Sequence, residues 1–305
     1  MPEWSDLTPN EGHIVRDCPD NDLVTDAISF FTHDGDDLVP TPLACSMWSD
    51  DQLHGVAVSG ALARAAEQRL AATGRTDLRP ARWVVDLFRA ARMQPCTFET
   101  TVVRESSRIC LVDVTLTQGD VRVARASATF LKPSTTAPGA VWQPDDRPSP
   151  PPLEVAPESD EPRVPFLRSS SPWSQNFTEH QNADRKASWS SAIPVVPDEP
   201  LSPFQAVAAA ADGASMVTNW GTRGVEYINT DIALTLARTP VGVEIGLLAT
   251  DRVEHDGIAS GTTAVFDRAG ALGTVTVAAL ANAQRTVDMG GVEYSDNGER
   301  RATRV

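Results

Sequence analysis

The 305-residue chain carries 26 basic and 41 acidic residues, a formal charge of −15, and 41% of its residues are hydrophobic. So large an acidic excess argues against non-specific nucleic-acid binding through the whole surface, while the apolar content suffices for one large core or two units of about 150 residues. Cys18, Cys45, Cys96 and Cys110 have neither Cys-x-x-Cys spacing nor a neighbouring histidine pattern, which argues against a zinc site and against a secreted disulfide framework.

The opening Met-Pro-Glu-Trp-Ser-Asp-Leu lacks a basic n-region and an apolar h-region, and no later run approaches membrane-spanning length. A cytoplasmic protein is expected. Residues 1–22 are polar and acidic and read as a loosely held arm. A first unit spans 23–132. Ala27-Ile-Ser-Phe-Phe31 followed by His-Asp-Gly-Asp-Asp suits a strand entering a turn. A helix opens at His54-Gly55 and extends to Gly74, with Val58, Leu62, Ala65, Ala66 and Leu70 at helical spacing and small residues on its other sides. Four strands follow without another helix: Trp83 to Arg89, Thr97 to Arg104, Ile109 to Thr117 and Val121 to Leu131, the last two joined through Gln118-Gly-Asp120. One helix followed by an antiparallel meander implies an α+β layer. Between Gly60 and Lys132 there are eleven arginines and one lysine against seven acids. This local excess fits either a docking surface for an anionic ligand or ordinary solvated faces.

Residues 133–172 contain eleven prolines and read as a stiff crossing linker. A second unit at 173–285 repeats the order of the first: an opening strand within Phe177 to Ile193, a helix from Ser202 to Asp212, then strands Val225 to Arg238, Val243 to Val253, Ile258 to Phe266 and Leu272 to Asn282. Ser202, Pro203 and Gln205 form a capping box with proline in the first helical position, and Gly213 reads as the helix end. The alanines of 206–211 leave no polar face, so the helix is expected to be enclosed. Asp212 stands out, because a carboxylate in a last helical turn opposes the macrodipole. It is either a solvated loop residue or a site carboxylate facing Asn229. In the following strand Ile228, Thr230 and Ile232 are expected on one face, and Asn229 and Asp231 on the other. Residues 286–305 read as a polar tail.

Taken in order, these residues resemble a known family. His54-Gly55 with Gly-Ala-Leu-Ala-Arg-Ala-Ala-Glu67, Val85-Asp-Leu-Phe-Arg89 and Ala124-Arg-Ala-Ser-Ala128 carry the likeness in the first half. Ser202-Pro-Phe-Gln205, Ala211-Asp212, Asn229-Thr-Asp231, Arg238-Thr-Pro240 and Asp267-Arg-Ala-Gly270 carry it in the second. Over about residues 25–284 the chain is similar to the double-hotdog acyl-CoA thioesterase-like proteins, related to type II acyl-CoA thioesterases. The resemblance implies two antiparallel sheets, each wrapped around a central helix and joined edge to edge, with a thioester between the halves and its carbonyl near a helix N-terminus.

It also implies site residues. Asp212, Asn229 and Thr230 are the candidate catalytic residues, with His54, Gly55 and Val56 as candidate substrate-binding residues. The family's hydrolases hold a water with an aspartate, a serine or threonine, and a glutamine. Asp212 matches the first, Asn229 takes the hydroxyl position, and Val277 or Ala278 falls where the glutamine belongs. Hydrolysis of an acyl-CoA by water attack is the reading adopted, with a non-catalytic acyl-CoA or acyl-chain binder as the alternative. Trp48-Ser-Asp-Asp-Gln-Leu-His54 is faintly similar to the signature of hydratases on the same fold, but Ser49 stands in the aspartate's place and the Asn-Pro pair is absent. The expected partner is a small-molecule acyl-CoA, with homo-oligomer formation left open. Neither metal nor cofactor is implied, and neither a nucleic acid nor a membrane is expected as a partner.

Overall fold

The structure is a computed structural model that describes residues 28–282, 284–294 and 300–302. The expected arm at 1–22 lies outside the described residues, as does part of the expected tail. A hairpin of β1 (Phe31–Asp34) and β2 (Asp37–Pro40) leads into helix α1 (Gly55–Ala71) and then strands β3 (Arg79–Leu87), β4 (Thr97–Glu105), β5 (Ile109–Gln118) and β6 (Val121–Leu131). Strand β7 (Phe166–Arg168) lies inside the proline-rich stretch. Next come the short helix α2 (Phe177–His180), β8 (Ala187–Ser191), helices α3 (Pro203–Ala211) and α4 (Gly213–Asn219), and a ribbon of β9 (Trp220–Gly221) and β10 (Gly224–Val225). The chain continues through β11 (Tyr227–Asn229), β12 (Asp231–Leu236), β13 (Glu244–His255), β14 (Ile258–Asp267), β15 (Gly270–Ala281) and a final pair, β16 (Val292–Tyr294) and β17 (Arg300–Ala302).

The main sheet has eleven strands, and its two halves meet where β12 pairs antiparallel with β3, Ile232 opposite Val85 and Leu234 opposite Trp83. From this seam each half runs outward in the same order. The first half reads β3, β6, β5, β4 and the second β12, β15, β14, β13, which is first, fourth, third, second strand in both. The duplicated order read from the sequence is therefore a duplicated topology. Each half wraps its own helix, and the architecture is the α+β double hotdog.

Small residues let the two helices approach closely. They run antiparallel: the start of α1 faces the end of α3, where Ser59 Oγ donates to Ala208 O at 2.6 Å and accepts from Trp83 Nε1 at 3.0 Å. A Cβ added at Gly60 would already touch Ala209 Cβ at 3.3 Å. Phe204 of α3 crosses into the first half and makes edge contacts with Trp83 and Phe130, so the halves share one core. Burying a side chain such as Phe204 contributes about 1.5–3 kcal/mol.

Several expectations need correction. The opening strand expected within Phe177 to Ile193 is confined to β8, because Asn176 caps a short helix first, its side chain accepting from Thr178 N at 3.1 Å. The proline-rich crossing is fastened to the second half. Ala156 is buried against Trp189 and Phe266, and Glu244 holds Arg163 of the crossing together with Arg268, whose Nη2 also donates to Ala156 O at 2.6 Å. Within the expected tail, Val287 and Met289 are buried, and Val287 bridges to Val225.

The quoted motifs Arg238-Thr-Pro240 and Asp267-Arg-Ala-Gly270 meet in a structural pin. Asp267 is fully buried, and its carboxylate takes the Arg238 guanidinium in two bonds (2.8 and 2.5 Å) plus the N–H groups of Val241 (2.9 Å) and Ala269 (2.8 Å). Burial opposes ionisation, but Arg238 and the two N–H donors outweigh it and hold the carboxyl below its ordinary value. Its stabilising effect is thus present above the unfolded pKa and is lost as pH falls through the folded one. Asp267→Asn is expected to cost about 3 kcal/mol in chemical denaturation at neutral pH, and the gap from the wild type should shrink in acid.

Candidate active site

Three segments converge between the halves, one of them from far away in the sequence. The first is the joint of α3 and α4. Gly213 was expected to end the helix; instead the chain stays helical through Asp212 (φ −62°, ψ −30°), because the following turns bury Ala214, Ser215 and Val217. Asp212 N–H bonds Ala209 O at 3.3 Å and Ser215 N–H bonds Asp212 O at 3.1 Å, a tightened i to i−3 pattern that marks the joint. Asp212 therefore stands at the end of one helix, whose dipole opposes its charge, and at the beginning of the next, whose dipole favours it, so the two effects offset.

The second segment is the start of α1. His54 is its N-cap: Nδ1 accepts from Ala57 N at 2.9 Å and Nε2 lies 3.0 Å from Leu43 O. Both ring nitrogens are thus engaged with backbone, which fixes the Nε2–H tautomer. Gly55 lies against Asp212 so closely that an added Cβ would sit 2.1 Å from Oδ1, and no other residue type leaves room for the carboxylate. Val56 N–H donates to that carboxylate. Of the two expected donors, Val56 is therefore occupied by Asp212, whereas the Gly55 N–H, as the first of the helix, has no intrahelical partner.

The third segment is β11. Asn229 Nδ2 donates to Asp212 Oδ1 at 3.0 Å. The structure thus brings together Asp212, Asn229, Gly55 and Val56, with His54 adjacent as the helix cap. It does not bring in Thr230, which is exposed and directs its hydroxyl toward Ala278 O (3.3 Å) and Asp231 Oδ1 (3.4 Å). Although Asp212 keeps some accessible surface, its carboxyl is packed among protein atoms. That burial pushes its pKa up from the ordinary value, and the bonds from Asn229 and Val56 offset this only in part. A carboxylate so placed is a stronger proton acceptor than an exposed one.

The other half carries no such carboxylate in the corresponding place. Ten residues after its N-cap α3 has Asp212; ten residues after its N-cap α1 has Arg64, buried and bonded to Glu199 (Nε to Oε2, 2.7 Å). One turn further, Glu67 accepts from Ser202 Oγ at 2.6 Å and Gln205 Nε2 at 2.9 Å, which ties the start of α3 to the end of α1. At the far end of α4, roughly 10 Å along the helix from Asp212, lies a cavity of about 480 Å³ whose lining includes Thr218, Asn219, Tyr227 and Arg252. Arg252 lies over the Tyr227 ring and donates to Asn219 Oδ1 at 3.1 Å.

Comparison with known proteins gives this geometry a context. Residues 45–131 match the model of the acyl-CoA thioesterase N-terminal domain, and residues 144–280 that of the C-terminal domain. The chain belongs to the acyl-CoA thioesterase family. No curated protein sequence matches it significantly. Among solved structures it is similar to a tesB protein of Mycobacterium avium subspecies paratuberculosis, with 19% identity, a TM-score of 0.58, and coverage of 80% of this chain and 92% of that one. Similar too are the acyl-CoA thioesterase II TesB2 of Mycobacterium marinum (16% identity, TM-score 0.56, 82% and 93% covered) and a hot dog fold protein of unknown function from Alicyclobacillus acidocaldarius (19%, 0.58, 82% and 95%). At these identities the likeness is one of fold. No helix among the described residues is long and apolar enough to cross a membrane.

The strand that faces Asn229 bears on the glutamine position that the resemblance implied. Asn229 pairs with Ala279, and residues directly opposite on adjacent strands share a face. Ala279 and Val277 are buried on that face, whereas Ala278 is exposed on the other. The resemblance puts the glutamine's place at Val277 or Ala278, and the residue that stands opposite Asn229 is Ala279. None of the three carries a carboxamide. Only strand pairing reveals which residue stands opposite Asn229, since sequence spacing counts residues along one strand.

Proposed function

We propose that this member of the thioesterase family hydrolyses an acyl-CoA thioester by attack of water, with Asp212 as general base. The observation that carries the reading is the Asp212 carboxylate itself: desolvated, held by the Asn229 carboxamide at 3.0 Å, and set against the first turn of α1. In the proposed step Asp212 takes a proton from a water that Asn229 helps to orient, and the water oxygen forms a bond to the thioester carbonyl carbon. The carbonyl oxygen, gaining negative charge, is met by the Gly55 N–H and the positive end of the α1 dipole. Collapse of the tetrahedral intermediate breaks the C–S bond, and the thiol leaves with the proton returned from Asp212.

A second reading, in which the site binds an acyl-CoA without turnover, is favoured by the side chains on the strand facing Asn229, since Val277, Ala278 and Ala279 offer no carboxamide to position a water. Release of free thiol by the purified protein over a series of saturated acyl-CoA lengths separates the two. Thiol release at one or more lengths is the expected result. Thermal stabilisation by a non-hydrolysable acyl-CoA analogue without thiol release at any length would favour the binder.

A further inference from the structure

Asn229 reaches Asp212 only because the strand that carries it is irregular. In β11 the pairing with β15 sets Tyr227, Ile228 and Asn229 opposite Ala281, Leu280 and Ala279. In β12 it sets Ala233 to Leu236 opposite Thr276 to Gly273. Residues 230–232 therefore face only residues 277–278, so one extra residue is accommodated on the Asn229 side, as in a β-bulge. Ile232, Leu234 and Leu236 are buried in the core that surrounds the helices. Strict alternation from Ile232 would turn Thr230 inward and Asn229 outward. The bulge reverses this: Thr230 is exposed, and Asn229 bonds to Asp212.

One side chain closes the bulge. Thr230 N–H donates to Ala278 O at 2.9 Å, but the return bond, from Ala278 N–H, goes to Asp231 Oδ1 at 2.8 Å and not to a backbone carbonyl. The same oxygen lies 3.4 Å from Thr230 Oγ1, and Asp231 O accepts from Asn229 Nδ2 at 3.4 Å. On the other side Thr230 O accepts from Leu87 N at 2.9 Å, so the bulge sits at the seam between the halves. We infer that Asp231 is a positioning residue: its carboxylate replaces a missing ladder acceptor, fixes the bulge, and thereby aims Asn229 at Asp212. The inference rests on the proposed hydrolysis for its kinetic consequence, but its structural content stands apart from any activity.

Two measurements on the full chain test it. In crystal structures of Asp231→Ala and Asp231→Asn, the Asn229–Asp212 bond is expected to be lost in the first and kept in the second, whose amide oxygen still accepts from Ala278 N–H. An Asp231→Ala protein that keeps this bond overturns the inference even if the wild type hydrolyses no thioester. Given activity in the wild type, Asp231→Ala should lower kcat by about 100-fold, Asp231→Asn should recover most of it, and Asp231→Ala in an Asn229→Ala background should lower it little further. Independent, multiplying losses from the two alanine changes would also overturn the inference, because they would mean that Asp231 does not act through Asn229.

Discussion

Asp212→Asn is expected to lower kcat for thioester hydrolysis by about 10²- to 10⁴-fold, the usual contribution of a positioned general base. The amide keeps the size of the side chain and can still accept from Asn229 through its oxygen, but it has no basicity with which to take a proton from water. The wild type should also show an acid limb in its kcat–pH profile, and its position follows from the environment of Asp212. Burial raises the pKa of this carboxyl, so the limb should lie above the value of about 3.9 typical of an exposed aspartate and should be absent from the residual rate of the variant. Stability should move the opposite way. A folded pKa above the unfolded one means that ionisation becomes a cost as pH rises through that window. Asp212→Asn, which never ionises, is therefore expected to be at least as stable as the wild type near neutral pH, with Tm as the readout. A variant with unchanged kcat would remove Asp212 from the chemistry.

Gly55→Ala is expected to be nearly as damaging to activity through a single methyl group. An added Cβ would lie 2.1 Å from Oδ1, 2.4 Å from Cγ and 2.6 Å from Oδ2 of Asp212, so the whole carboxyl group occupies the space it needs. Asp212 cannot withdraw without leaving Asn229 and Val56 N–H. A displacement of this kind commonly costs about 100-fold in rate. Alanine is the better helix former by about 1 kcal/mol, which offsets part of an overpacking cost of about 1–3 kcal/mol, so kcat should suffer more than Tm. Gly60→Ala is the control. Its Cβ meets only Ala209 Cβ at 3.3 Å and Val195 Cγ2 at 3.5 Å, and it is expected to lower Tm while leaving kcat close to wild type. Equal kcat losses in both variants would point to a general disturbance of the helix pair and not to the carboxylate.

Much of the fold was legible from local pattern. The capping box at Ser202 forms as read, Ser202 Oγ accepting from Gln205 N at 3.0 Å. The hairpin at Gln118-Gly-Asp120 has Gly119 at φ +57°, and Gly74 follows α1 at φ +75°, both in the left-handed region that glycine adopts without cost. These features depend on a few neighbouring residues, so a single stretch of sequence suffices to recognise them. Where burial competes with a local signal, the local signal loses. Gly213 reads as a stop, yet the apolar residues after it gain more by continuing as α4 inside the second sheet than by leaving it.

Asp212 and Asn229 were named from sequence as partners, and they are 3.0 Å apart. The alternation that set Asn229 and Thr230 on opposite faces holds, but its continuation from Thr230 to Ile232 does not, because it assumed an unbroken strand. Whether an extra residue enters at 230–232 depends on which residues of β15, more than forty positions later, stand opposite. The same non-local pairing set Ala279 opposite Asn229 and Thr230 on the solvent side. Sequence alone determined the duplicated order of elements, the two helices with the capping box at Ser202, and the family resemblance, since each is written in local spacing and composition. The seam between β3 and β12, the bulge at Asp231, and the meeting of Asp212 with Gly55 and Val56 were decided only by the tertiary structure, because they depend on register and on close approach between segments that sequence spacing does not relate.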